Sequence, residues 1–223
     1  EILQSNTLKS IVTCCAHSFG KPEYRAAAAW AYGCTVEKHV TLKLDGCRIG
    51  ALATLVELVS QGTPIERSAA AIALSKALDD DLLSKDLTLK SKGLYELINM
   101  LKADSEDERC AASRAILCLC KNNNYCVQAF RNQNGLEPLV DMLNVKERSK
   151  KEIIECVKCV TVLIVGSLEN KEKISAYGGL PALAQILIHG QTENCVQFAL
   201  IYVTRWAFVK AGQDEFRKQE QGV

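Results

Sequence analysis

One interval governs this chain. The segments Arg25-Ala26-Ala27-Ala28, Arg67-Ser68-Ala69-Ala70 and Arg109-Cys110-Ala111-Ala112 align without gaps, with their arginines 42 residues apart. A second marker begins at Leu55, Leu97, Leu139 and Leu183, where Leu-Val-Glu-Leu-Val and its variants recur at steps of 42, 42 and 44 residues. A third is glycine followed by an apolar residue at Gly93, Gly135, Gly179 and Gly222, at steps of 42, 44 and 43. Three markers sharing one period define an internal repeat. A unit of that size cannot bury an apolar face alone, so neighbouring units must stack on one another.

Each unit reads as helices. The Leu-x-x-x-Leu spacing sets both leucines on one helical face. Pro181, after Gly179-Leu180, falls in the first turn of a helix, where its missing N–H costs nothing; Pro138 is tolerated in a neighbouring first turn for the same reason. Polar breaks such as Ser60 to Pro64 and Lys102 to Ser105 precede a longer Ala-rich segment, for instance Arg67 to Leu78. A short amphipathic stretch closes each unit, most clearly Asn170 to Tyr177. No window alternates as a strand does, so the expected class is all-α. Asp79-Asp80-Asp81 falls where one helix yields to the next, which suits helix-start chemistry better than metal binding.

Composition narrows the function. Lys and Arg total 27 against 26 Asp and Glu, a net charge of +1, which lacks the basic excess that nucleic acid or an acidic membrane demands. Apolar residues make up 48 % of the chain, enough to repay the entropy of folding. No segment reaches the roughly 18 apolar residues of a membrane span. The first residues lack the pattern of a secretory signal. There is no initiator Met, and the chain stops as another unit opens at Gly222, as expected of a piece of a longer protein.

Eleven cysteines invite a disulfide framework or a metal site. Frameworks belong to small secreted domains without a sufficient core. For metal, Cys118-x-Cys120 and Cys156-x-x-Cys159 fall inside expected helices, and His17, His39 and His189 match no ligand spacing. The repeat supplies another reason: Cys110 and Cys159 are assigned the small-residue slot of Ala26 and Ser68, where cysteine acts as a small hydrophobe. No nucleophile elbow, phosphate loop or His-Glu-x-x-His appears, so neither an enzyme nor a cofactor site is expected.

The period and the order short helix, Gly-Gly-Leu-Pro, Leu-rich helix, loop and Ala-rich helix resemble the armadillo repeat, most completely over Asn170 to Leu187. HEAT repeats are a neighbouring possibility, but would show two helices per unit and no Gly-Gly before the second. The resemblance covers the whole chain as one armadillo-repeat domain, residues 1–223, in units of roughly 1–46, 47–91, 92–133, 134–177 and 178–221. It implies a right-handed α-solenoid superhelix that binds other proteins along a concave face lined by the third helix of each unit.

In the importin-alpha members of that family, Trp and Asn four residues apart on this helix hold an extended peptide. Those slots fall here on Trp30 and Cys34, Ile72 and Lys76, Arg114 and Cys118, Leu163 and Ser167, and Tyr202 and Trp206. No Asn slot holds Asn, so an import-type peptide ladder is disfavoured and the chain is not a close match to importin-alpha. Nor does it closely match beta-catenin, although its basic Lys76 and Arg114 between aromatic ends make that kind of groove the nearer analogy. The expected role is a non-catalytic scaffold for a protein or extended acidic-apolar peptide, without nucleic acid, small molecule or membrane insertion. The alternative is an architectural part of a cytoskeletal or ciliary assembly. An intracellular reducing compartment is expected, cytoplasmic first, with nuclear or ciliary as alternatives. One segment breaks the pattern: Asn144 to Glu152 is longer than its counterparts and rich in basic residues, suiting either a solvated loop or a docking patch for an acidic segment.

Overall fold

The computed structural model describes residues 2–16, 20–144 and 146–189, with Gln197 and Thr204 beyond them. Among the described residues there are helices and no strands. They follow one another as α1 (Ile2–Cys15) and α2 (Pro22–Val36), then α3 (Val40–Arg48), α4 (Ala51–Gln61) and α5 (Pro64–Leu78). Next come α6 (Leu82–Lys90), α7 (Gly93–Met100) and α8 (Glu106–Cys120), then α9 (Asn124–Asn132), α10 (Leu136–Asp141) and α11 (Lys150–Ile164), and finally α12 (Leu168–Ala176) and α13 (Gly179–His189). Short, middle and long helices therefore alternate in threes, which is the armadillo order and not the helix pairs of a HEAT repeat. No helix among the described residues is long and apolar enough to cross a membrane.

The chain divides into two compact units, Glu1–Pro138 and Leu139–Val223. In the first, α2 packs along α5 and α5 along α8, with α4 and α7 behind them. Small residues permit the close approach: a Cβ on Gly33 would stand 2.9 Å from the Ala73 backbone. Ala70, Ala73, Leu74, Ala77 and Leu78 of α5 are buried together with Leu52, Leu55 and Leu58 of α4. In the second unit, Ile153, Val157, Val160, Leu163 and Ile164 of α11 are buried, as are Ile174, Leu183 and Ile186. Asn170 donates its side-chain N–H to the Leu163 carbonyl at 2.7 Å, tying α12 to the end of α11.

The recurring polar residues close the helices. Thr63 and Glu66 form a capping box at α5, and Ser149 and Glu152 form one at α11. Asp81, Asn123 and Ser167 cap the short helices by accepting from Ser84, Cys126 and Asn170 backbone N–H groups. The aspartate run thus does what its position implied: Asp79 ends α5, Asp80 takes a left-handed turn at φ 56°, and Asp81 starts α6. Two buried lysines close long helices at the other end, Lys43 donating to the Asp79 carbonyl at 2.6 Å and Lys85 to the Lys121 carbonyl at 2.5 Å. A cation beside the last carbonyls satisfies them and opposes the helix dipole.

The glycine marker is steric. A Cβ on Gly93 would approach Thr88 Cγ2 at 2.6 Å and Val56 Cγ2 at 2.8 Å; one on Gly135 would enter the Phe130 ring, and one on Gly179 would meet Ile174. This residue lets the middle helix start hard against the short helix before it.

The structure corrects the register of the fourth unit. From the leucine marker to the start of the long helix is 11 residues here (Leu139 to Lys150) against 9 in the two preceding units (Leu55 to Pro64, Leu97 to Glu106), so α11 begins at Lys150 and its ninth and thirteenth residues are Lys158 and Val162. These occupy the slots of Trp30 and Cys34. Leu163 is instead a core residue, and Ser167 is the cap of α12. The same shift moves Cys159 from the slot of Ala26 to that of Ala31, Ala73 and Ala115; Cys110 keeps the assigned slot. The packing role of both cysteines stands, since both are buried. The ten described cysteines are unbridged.

Candidate functional site

The three long helices of the first unit share one outward row. Helical spacing aligns Glu23, Ala27, Trp30, Cys34 and Glu37 on α2 and just beyond it, then Ile65, Ala69, Ile72, Lys76 and Asp79, then Asp107, Ala111, Arg114, Cys118 and Lys121. Six of the predicted site residues are therefore brought onto one face: Trp30, Cys34, Ile72, Lys76, Arg114 and Cys118. Tyr202 and Trp206 lie outside the described residues.

Trp30 belongs to the surface and not to the core, with 57 % of its area exposed. The Lys76 ammonium stands 6.0 Å from its ring centroid, in cation–π range. The same ammonium donates to Glu37 Oε2 at 3.1 Å and to Cys34 Sγ at 3.4 Å. Burial works to lower the Lys76 pKa, but the bonds to Glu37 and Cys34 outweigh it and raise the value above that of an ordinary lysine. The lysine read from sequence as a basic groove residue is thus partly neutralised, and it fixes the indole.

One repeat further on, Lys121 lies 3.0 Å from Asp79 Oδ1 and 3.3 Å from Asp80 Oδ1. Its pKa is raised chiefly by hydrogen bonds to those carboxylates. Cys118 is pushed up to about 11 by burial first and then by Asp79, with Lys121, Lys85 and Arg114 opposing. At neutral pH it is a thiol, unsuited to nucleophilic work. Arg114 is an exposed residue of the row.

Beneath the face runs a ladder that holds the helices in register. Arg25 Nε donates to Glu66 Oε1 at 2.5 Å, and Arg67 Nη1 pairs with Glu108 Oε1 at 3.0 Å. Burial tends to raise the Glu66 pKa, but the hydrogen bonds from Arg25 and Thr63 and the Arg25 charge pull it below the ordinary 4.5.

The sequence reading missed Glu37, Asp79 and Lys121. They were legible in principle, because they follow one another at the 42-residue interval. Their pairing needed the loop geometry, which turns Asp79 and Asp80 toward the next repeat. Among the described residues, no three His, Cys, Asp or Glu side chains gather as a metal ligand set.

These helices, their order and their stacking define an armadillo-repeat fold. Solved structures agree. A designed armadillo repeat protein in complex with the peptide (KR)4 superposes with a TM-score of 0.81 at 22 % identity, over 92 % of this chain and 84 % of its own. The armadillo-repeats-only protein of Plasmodium falciparum gives 0.74 at 16 % identity, over 92 % and 97 %. A structure concerning the cadherin–beta-catenin interaction gives 0.75 at 18 %, over 89 % of this chain and 36 % of that one. No protein-family model matches the sequence, and no curated protein matches it.

Proposed function

We propose that the chain is a non-catalytic scaffold that holds an extended segment of another protein across the outward row of α2, α5 and α8. The observation that carries this is Trp30, a large aromatic kept exposed and oriented by Lys76 on the same face as Ile72 and Arg114. Exposed aromatic and arginine side chains are the types that most often concentrate binding energy. The two ends of the row differ. Trp30 and Ile72 suit an apolar side chain, and Arg114 suits a carboxylate. Packed helices stand about 8–10 Å apart, so Trp30 and Arg114 are separated by about 16–20 Å, the span of about five or six extended residues. The segment that fits carries an apolar anchor and, about that far along, an acidic residue. The designed neighbour's peptide is basic; Arg114, and the sharing of Glu37 and Asp79 with lysines, favour the opposite sign here.

Selection from a random-peptide display library on the intact chain tests the reading. Enriched peptides should pair an apolar residue with an acidic one at that spacing, and Trp30→Ala or Arg114→Glu should weaken them about tenfold or more, each about 1.4 kcal/mol or above. Undiminished binding by both variants would place the partner elsewhere and sink the proposal.

A further inference from the structure

The second unit carries a separate polar cavity of about 400 Å³, built around the longer connection between α10 and α11. The loop after α10 is wound and not extended: Glu147 and Arg148 donate backbone N–H groups to the Asn144 carbonyl at 3.2 and 3.1 Å, and Lys146 donates its own to Asn144 Oδ1 at 3.1 Å. That turn puts Lys146 and Arg148 on the cavity wall. Arg148 Nη1 lies 3.8 Å from Glu152 Oε1, while its buried Nε has no hydrogen-bond partner. The side chain keeps a quarter of its surface exposed, so the accessible part of the guanidinium can receive an entering oxyanion. The opposite wall is the start of α13, through Gly178 and Ala182, with Tyr177 beside it. The positive end of that helix dipole also favours an anion.

We infer that this cavity binds the carboxylate of an acidic residue in a partner polypeptide, with Arg148 as the anchoring cation and Lys146 at the rim. Three features select a peptide carboxylate over other anions. The volume exceeds what a free oxyanion occupies. Leu143 and Ala182 line it and can receive the stem of a side chain. Asp141 and Glu147 also stand in the wall and repel a doubly charged phosphate more than a singly charged carboxylate.

The test uses the intact chain and the Arg148 Nε–H resonance in NMR. The probes are the capped tripeptide Leu-Glu-Leu, its Leu-Gln-Leu counterpart and inorganic phosphate. The Glu peptide should shift the resonance saturably with a Kd on the order of 1 mM, weakening as salt is added. The Gln peptide should bind at least about fivefold more weakly, since it lacks the charge. Lys146→Glu, a change at an exposed position, should weaken the Glu peptide without altering the fold. Arg148→Met should abolish its binding as followed at the Tyr177 and Gly178 amides, with helicity checked by circular dichroism. Equal responses to the two peptides, no response to either, or tighter binding of phosphate than of the Glu peptide would each overturn the assignment.

Discussion

The long helices α5 and α11 begin with the same capping box, yet the connections that lead into them differ. Glu66 receives Arg25 from the preceding long helix at 2.5 Å; ahead of α11 the connection carries a cation of its own, Arg148, 3.8 Å from Glu152. Where the repeat supplies the cation, the ion pair also fixes helix to helix. The row of Arg25, Arg67 and Arg109 ends in α11, where the matching residue is Ile153. Its loop has grown by two residues, holds its own arginine and encloses a cavity. A cation held by the connection itself, beside a carboxylate shut away from water, ties that connection to the helix it leads into.

Removing the two cations should separate the cases most sharply. Arg25→Met leaves Glu66 buried and uncompensated, and the expected loss is about 3–5 kcal/mol, the cost of breaking a buried pair from one side. Arg148→Met disturbs a looser contact of a partly exposed guanidinium and should cost about 1 kcal/mol or less. Urea unfolding of each variant reads the difference. Equal losses would mean that the ladder contributes no more than the loop does.

The ladder shows how far sequence could go. The 42-residue recurrence of Arg25, Arg67 and Arg109 exposed the repeat, because periodicity survives wherever packing imposes it. The glycines and the small-residue slot of Cys110 were legible for the same reason, whereas the slot of Cys159 was misassigned with the register of α11. The aspartate run, with cap chemistry fixed by local backbone, was legible too. Two things were not. The register of α11 was lost across its longer loop, since insertion breaks the period that revealed the rest. The state of Lys76 was also hidden, because its partners Cys34 and Glu37 lie 42 and 39 residues away and meet it only once the helices stack.

Acid should probe the same ladder. The folded Glu66 has its pKa below the ordinary 4.5, so the unfolded chain binds the proton more readily. Its contribution to stability is complete above that ordinary value and is lost as pH falls through the lower folded value. Unfolding midpoints in urea should therefore drop as pH falls below about 5. Glu66→Gln, which does not titrate, should be less stable at neutral pH and lose less on acidification. An unchanged acid slope would assign the loss to other carboxylates and detach Glu66 from the comparison.

The two units also differ at their turns, where the expected effects are smallest. Between the long and the short helix the left-handed residue is Asp80 or Asn122 in the first unit and Gly166 in the second; between the short and the middle helix it is Gly50, Lys92 or Asn134 in the first and Gly178 in the second. Glycine adopts this backbone without steric cost, whereas a side chain such as that of Lys92, at φ 61°, crowds the following carbonyl. Lys92→Gly should therefore be neutral or stabilise by up to about 1 kcal/mol, the relief being partly offset by the greater freedom of glycine in the unfolded chain. Gly178→Lys places the same strain in the second unit without that relief and should destabilise by about 1 kcal/mol. Paired thermal unfolding of the two variants measures both signs. A loss on Lys92→Gly would show that the lysine side chain makes contacts worth more than its strained backbone costs.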